Sequence, residues 1–283
     1  MIENKIAEYI DFLAKNNGHS DTFLNEVKLF RSEESLAKHK VMYDNCLIIV
    51  GQGCKKLYVK SQEFSYDPNN YLIVPATLPL ECETFDTKNE PFLGIIINLD
   101  FSILEEISKQ IKQEKQLNNS DLIYTSALSD KLEDCVERLL LSLRSQETSN
   151  ILGLAIIKEL YYYLLKDVNS SALHNILNEN TNLARIHKAL AYINQSIEQE
   201  LLVSELAKVS GMSVASFHRN FKKVLGQAPL QLIKETKLTK AKGLIINKQY
   251  KSTLASIEVG YQSYSQFSRE FKRLFGLSPS KIN

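Results

Sequence analysis

The sequence predicts an α+β chain in two parts: a small N-terminal β-barrel with helices packed on it, then an all-α domain. Three observations carry this expectation. From about Thr22 to Leu99 the chain is cut into short β-rich runs by Gly, Asn, Asp and Pro, the pattern of a small barrel or sandwich. From Phe101 the apolar spacing becomes helical. Beyond residue 200 one two-helix segment is written twice.

The elements follow in order. Glu3, Lys5, Glu8 and Asp11 lie among apolar residues, which reads as an amphipathic helix through about Lys15, and no signal peptide is expected. Strands are expected at Leu47–Val50, Lys56–Lys60, Tyr71–Val74 and Leu93–Leu99. Gly51-Gln52-Gly53 and Asp67-Pro68-Asn69-Asn70 are the clearest breaks between them. Ile103, Leu104, Ile107 and Ile111 mark a helix, as do Leu132, Val136, Leu139, Leu140 and Leu143, and a third helix runs from Ile151 to Leu165. The polar run Asn178-Glu179-Asn180-Thr181 reads as a linker, so the expected domains are residues 1–175 and 180–283. Arg185, Ile186, Ala189, Leu190 and Ile193 then open an amphipathic helix under the first repeat.

The first repeat reads Leu206-Ala207, Gly211-Met212, Phe217-His218-Arg219-Asn220-Phe221-Lys222-Lys223, Gly226 and Pro229. The second reads Ala255-Ser256, Gly260-Tyr261, Phe267-Ser268-Arg269-Glu270-Phe271-Lys272-Arg273, Gly276 and Pro279. Partners lie 49 residues apart before the second helix and 50 apart within it, so the second copy has one extra residue in its turn. A short helix, a Gly turn and a second helix with an outer basic side is the sequence form of a helix-turn-helix. Ser213 is placed to cap the second helix of copy one, and Ser263-Tyr264-Ser265-Gln266 has the form of a capping box. Val214, Phe217 and Phe221 are expected to face inward, leaving Ala215, Ser216, His218 and Arg219 outward to contact bases. Tyr264, Ser265, Ser268 and Arg269 take the same role in copy two, while Lys222, Lys223, Lys272 and Arg273 are placed to contact phosphates. A structural alternative stays open for Arg219 and Arg269, an ion pair with Glu205 or Glu270. Leu230, Leu232, Ile233, Leu238, Ala241, Leu244 and Ile245 form the apolar face of one long helix joining the copies.

Charge agrees with this division. Residues 181–283 hold 16 Lys and Arg against 6 Asp and Glu; the remainder holds 18 against 27. A near-neutral total of +1 therefore hides a basic C-terminal part suited to phosphate and an acidic N-terminal part that is not. No apolar run approaches the roughly 18–20 residues that span a bilayer. The expectation is an intracellular, cytoplasmic protein associated with the nucleoid, with Cys46, Cys54, Cys82 and Cys135 reduced. The cysteines show no CxxC spacing and His19 and His39 form no HxH pair, so no metal or other cofactor is expected. GxSxG, phosphate-loop and HExxH motifs are absent, so the chain is not expected to be an enzyme. Electrophile sensing by Cys46, Cys54 or Cys82 stays open beside a role as small buried apolar residues.

The segments GMSVASFHRNFKKVLGQAPLQLIKETKLTKAKGLI and VGYQSYSQFSREFKRLFGLSPSK resemble the two motifs and linker helix of the AraC/XylS family of bacterial transcription regulators, over roughly residues 181–283. The segments NCLIIVGQGCKKLYV, YLIVPATLPLECET and PFLGIIINLD resemble the cupin-like N-terminal domain of an AraC-type subgroup. The resemblance implies sequence-specific binding of double-stranded DNA by two helix-turn-helix units on one face of the duplex. It also implies an N-terminal domain for effector sensing, dimerisation or both, with a small molecule, a second copy of the chain and RNA polymerase as candidate partners and an activator as the candidate role. A regulator controlled by a protein partner or by abundance is the rival reading, and a cupin-like enzyme fused to a DNA-binding domain a remote one. Lys237 stands where the family usually has Arg, and Ala255-Ser256 replaces the usual Ile-Ala, so the second motif is expected to pack more loosely.

Overall fold

The computed structural model describes residues 4–59, 61–85, 90–111 and 121–282. They fall into two compact units. The first comprises Met1–His39, Asp44–Pro75 and Cys82–Glu179; the second comprises Asn180–Asn283 with the short segments Lys40–Tyr43 and Ala76–Glu81.

Helix α1 (Lys5–Leu13) is followed by strands β1 (Gly18–Asp21), β2 (Val27–Ser32), β3 (Leu36–Tyr43), β4 (Cys46–Gln52), β5 (Cys54–Val59), β6 (Gln62–Tyr66), β7 (Asn70–Val74), β8 (Leu78–Phe85) and β9 (Phe92–Asn98). A tenth strand, β10 (Tyr124–Ala127), comes after α2 (Phe101–Ser108). Among the described residues these strands do not close into one barrel. They form two sheets, one of six strands in the order β1-β2-β9-β4-β7-β10 and one of four in the order β3-β8-β5-β6. The barrel expected from sequence is therefore open. Of the expected strands, 56–60 corresponds to β5; Lys60 and Glu3 lie outside the described residues.

Burial explains the strand patterns. β4 sits between β9 and β7, and Cys46–Val50 is buried throughout, which is why it reads as an unbroken apolar run. Its far end accepts α1 at close range: a Cβ on Gly51 would stand 3.0 Å from the Ala7 backbone. Asn4 caps that helix by accepting from Ala7 N–H, and its Nδ2 donates to the Gly51 carbonyl at 2.6 Å. At Asp67–Asn70 the Asp67 carbonyl accepts from Asn70 N–H at 3.0 Å and its carboxylate from Asn69 N–H at 2.9 Å, an Asx turn that reverses the chain into β7.

The helices α3 (Asp130–Ser142), α4 (Gln146–Thr148), α5 (Leu154–Lys166) and α6 (Ser171–Leu177) complete the first unit. The helix expected from Ile151 begins as a π-helical turn, Ser149–Gly153, and Ile151 and Leu152 face solvent. α3 and α5 are joined by a two-pronged ion pair, Arg138 to Glu159 at 2.9 and 3.0 Å. The Tyr161 hydroxyl donates to the Asn98 carbonyl and accepts from Asp100 N–H, fixing α5 to the end of β9.

The second unit is helical apart from its two short segments: α7 (Asn182–Gln195), α8 (Val203–Val209), α9 (Val214–Leu225), α10 (Pro229–Lys248), α11 (Ser252–Glu258) and α12 (Tyr264–Phe275), with a final 3-10 turn at Pro279–Lys281. Thr181 at the end of the polar run caps α7, whose Ile186, Ala189, Leu190 and Ile193 are buried as their spacing requires. No helix described is long and apolar enough to cross a membrane.

Candidate nucleic-acid interface

The repeat is reproduced hydrogen bond by hydrogen bond. In the first turn Gly211 N–H donates to the Lys208 carbonyl and Met212 N–H to Ala207; in the second Gly260 N–H donates to Ile257 and Tyr261 N–H to Ser256. Gly211 and Gly260 both adopt positive φ, 61° and 75°. The caps Ser213 and Ser263 accept from Ser216 and Gln266 N–H, each at 3.3 Å. The extra residue of copy two is therefore Gln262, inserted between turn and cap. Both second helices end on a left-handed glycine, Gly226 and Gly276, whose N–H reaches the carbonyls of Lys222 and Lys272 at 2.8 Å.

Phenylalanines set the rotation of the two recognition helices. Phe217 and Phe221 are fully buried with ring centroids 5.3 Å apart, and Phe267 and Phe271 repeat this at 5.4 Å. Each buried ring contributes about 1.5–3 kcal/mol relative to an exposed one. With two rings locked inward, the opposite face must point to solvent. On α9 it carries Ala215, His218 and Arg219, all exposed, and on α12 Tyr264, Ser265 and Arg269, also exposed. Lys222, Lys223, Lys272 and Arg273 are exposed at the C-terminal ends, where positive charge also complements the helix dipole.

Several expected details differ. Ser216 and Ser268 are half-buried, and the Ser216 side chain accepts from Asn220 Nδ2 at 3.2 Å. Val214 does not face inward; it is 46% exposed, because it opens the helix ahead of the first buried turn. The capping box is half-formed: Gln266 Nε2 donates to Glu270 Oε1 at 3.5 Å instead of returning to the cap. The Tyr264 hydroxyl is shared with Ser252 Oγ at 2.8 Å, which ties the start of α12 to the start of α11. No carboxylate pairs with Arg219 or Arg269 among the described residues; Arg269 Nε donates to the Ser265 carbonyl at 3.3 Å. Leu230 is 58% exposed on α10, whose buried side is Leu232, Ile233, Thr236, Leu238, Thr239 and Ala241.

The second motif is not loose. Ala255 and Ser256 are buried, and Ala255 joins Leu238, Ala241, Val259, Phe267 and Phe271 in one core. Small residues here admit α10 and α12 closely. Ser256 loses no hydrogen bond on burial, since its hydroxyl donates to the Thr253 carbonyl at 2.7 Å.

Three tertiary contacts were not legible in the repeat. Glu270 turns inward, accepting from Tyr261 Oη at 2.8 Å and pairing with Lys234 of α10 at 2.9 Å. Burial pushes its carboxyl up, but hydrogen bonds from Lys234, Tyr261 and Gln266 outweigh this, so its pKa lies below the ordinary value. Lys237 of α10 donates to the Gln199 carbonyl at 3.1 Å, in the loop between α7 and α8. Gly260 meets the same loop: a Cβ there would stand 2.0 Å from the Glu198 carbonyl oxygen. The turn of motif two is thus seated on the support of motif one. For Glu270 alone the sequence holds a signal, Asn220 at the matching position of the first copy; nothing in the repeat marks the contacts of Lys237 and Gly260.

Elsewhere Cys46, Cys82 and Cys135 are buried and Cys54 half-buried. Burial, with Glu159 nearby, pushes the Cys135 thiol up to about 12, and burial likewise raises Cys46, so neither is a thiolate at neutral pH. No group of three His, Cys, Asp or Glu placed to hold a metal occurs among the described residues.

The family model for the AraC-type transcriptional regulator N-terminus matches residues 24–172, more than half of the chain. The chain belongs to the AraC-type transcriptional regulators. A helix-turn-helix domain model matches residues 206–283 of the same AraC-type chain. The probable transcriptional regulator LumQ of Photobacterium leiognathi is 31% identical over 140 residues, 50% of this chain and 51% of LumQ. The match thus spans about half of that relative's length. The virulence regulon transcriptional activator VirF of Yersinia enterocolitica is 24% identical over 249 residues, covering 83% of this chain and 87% of VirF. ToxT of Vibrio cholerae, solved with an unsaturated fatty acid bound, shares the fold with TM-score 0.62 at 13% identity, over 94% of this chain and 96% of ToxT.

Proposed function

We propose that the chain is a sequence-specific DNA-binding transcriptional regulator whose helices α9 and α12 read successive major grooves. The observation that carries this is the pair of basic helix faces, built on matching turns, caps and buried phenylalanines and joined by one helix within a single chain. Arg219 and Arg269 are the proposed guanine readers, assisted by Ala215, Ser216, His218, Tyr264, Ser265 and Ser268. Lys222, Lys223, Lys272 and Arg273 are the proposed phosphate contacts. Residues 1–175 are proposed as the sensing and dimerisation domain and 180–283 as the DNA-binding domain. Control by a small effector is supported by the family match and by the bound fatty acid of ToxT. Activation, with RNA polymerase as partner, is proposed by likeness to VirF. A second copy is a further proposed partner, supported by Ile151, Leu152 and Leu154, which are exposed close together on one helical stretch.

The experiment is to map bound genomic sites, then measure affinity of the full chain for one site by fluorescence anisotropy. The site should hold two short determinants about 10–10.5 bp apart. Inserting about 5 bp between them turns the second away from its helix and should abolish specific binding, whereas the same insertion outside the site should not. Unchanged affinity after the inner insertion would mean that one motif alone reads DNA.

A further inference from the structure

The two recognition helices can be compared position by position, because each residue of α9 has its partner 50 places on in α12. Their later turns agree: Arg219 matches Arg269, Lys222 matches Lys272 and Lys223 matches Arg273. Their first turns do not. Val214 and Ala215 open α9 where Tyr264 and Ser265 open α12. All four are exposed, so the difference lies on the surface and not in the core.

On α9 the opening pair offers only methyl groups. Val214 is 46% exposed and Ala215 is exposed beside it. The hydroxyls around them are used within the helix. Ser213 Oγ accepts from Ser216 N–H at 3.3 Å, and Ser216 Oγ accepts from Asn220 Nδ2 at 3.2 Å. That cap anchors the backbone at Val214, and a β-branched side chain has few rotamers to lose, so its methyls are held out rigidly. On α12 the opening pair is polar. The Tyr264 hydroxyl is shared with Ser252 Oγ at 2.8 Å, and its ring lies 5.9 Å from that of Phe267. Val203 stands where α11 has Ser252, so copy one cannot form this tie. The group left beside Arg269 is the Ser265 hydroxyl, which both donates and accepts.

Side chains at the start of a recognition helix reach base edges. Thymine alone presents a methyl group in the major groove, and apolar side chains are its partners there, whereas a serine hydroxyl meets donors and acceptors alike. The apolar opening of α9 gains from a thymine methyl, because contact removes apolar surface of both from water. Against a bare acceptor it gains nothing and leaves that acceptor without a partner.

We infer that Val214, flanked by Ala215, contacts the 5-methyl group of a thymine in the half-site read by α9, and that the half-site read by α12 has no such methyl reader. The inference rests on the reading of α9 and α12 as DNA-reading helices and adds what distinguishes their half-sites. The test replaces the thymines of a mapped site by uracil, one at a time on either strand. Uracil pairs identically and lacks only the methyl. Affinity of the full chain is read by fluorescence anisotropy. Uracil in one half only should weaken binding by about fourfold, the worth of one methyl group taken out of water. Val214→Ala should shrink that effect below twofold, and Val214→Ile should keep it. Ser265→Ala should leave it unchanged. No response at any thymine, responses in both halves, or a full response in Val214→Ala would each overturn the inference. The uracil scan of the unmodified chain decides even if a variant does not fold. A site bound specifically but indifferent to uracil would overturn this inference and leave the regulator reading standing. Failure to bind any DNA sequence specifically would overturn both.

Discussion

The two helix-turn-helix motifs have the same local structure and unequal tertiary roles. Their turns carry matching hydrogen bonds, their caps are both serine, and their buried phenylalanines hold the same spacing. Yet a Cβ added at Gly211 would meet nothing within 4 Å, whereas one at Gly260 would strike the Glu198 carbonyl. Asn220 hydrogen-bonds within its own helix, while Glu270 at the matching position holds α12 to Lys234 of the linker helix and to Tyr261. Copy one is a self-contained reader; copy two also fixes the angle between the readers. The difference teaches that a repeat in sequence conserves what is local, and that duplication leaves each copy to find its own long-range contacts.

The largest effect should come from the glycines. Gly260→Ala combines a backbone collision with positive φ and should destabilise the second unit by about 3–5 kcal/mol, against about 1–2 kcal/mol for Gly211→Ala, where only φ is strained. Urea unfolding of the full chain, followed by loss of helix, compares them. Equal costs would remove the asymmetry between the turns.

Next come the readers themselves. Arg219→Ala and Arg269→Ala should each cost about 1–3 kcal/mol on a specific site and relax base preference in one half only. If either variant lost affinity equally on specific and random DNA, that arginine would be a phosphate contact and the two helices would not be equivalent readers.

Glu270→Gln sharpens the comparison through pH. The folded-state pKa of Glu270 lies below its unfolded value, so its ion pair contributes stability that is present above the unfolded pKa and lost as pH falls through the folded one. The unmodified chain should therefore lose more stability on acidification below about pH 4.3 than Glu270→Gln does, with a difference near neutral pH of about 1–2 kcal/mol because Lys234 is partly exposed. Parallel stability–pH curves would show that the clamp carries no weight. Asn220→Ala should alter stability by less than about 1 kcal/mol and leave the pH profile unchanged.

The smallest effects belong to Lys222, Lys223, Lys272 and Arg273. Neutralising any one should weaken binding to all sequences and reduce the salt slope by about one unit. A slope that changed for one motif's pair and not for the other's would show that only one helix is flanked by phosphate.

Much of the second unit was readable because its information is short-range. Gly211, Gly226, Gly260 and Gly276 mark positive φ, Ser213 and Ser263 mark caps, and Phe217/Phe221 and Phe267/Phe271 mark one face of a helix, all within a few residues of the feature they specify. The basic excess after residue 180 needs no fold at all to be seen. Four strands of the first unit were also apparent, because β4, β7 and β9 are apolar runs and β5 a β-rich run between turn residues. The half-exposed strands β1, β3 and β6 carry His, Lys, Glu and Gln and look like loops until a neighbouring strand supplies their hydrogen bonds.

Contacts between distant residues could not be read this way. Local spacing gives no sign that the strands among the described residues divide six and four instead of closing, since that depends on which edges pair. Val214 and Leu230 look like core residues by type and spacing, and only the packed helices leave them outside. Ala255 and Ser256 look like a weak point, and only the approach of α10 and α12 makes their small size fit. The seating of Gly260 against Glu198 likewise joins residues far apart in the chain. Turns, caps and helix faces arise from steric and hydrogen-bonding preferences that act over one or two helical turns, so they are written where they occur. Packing is set by which surfaces the finished elements bring within a few ångströms, and it exists only once the chain has folded.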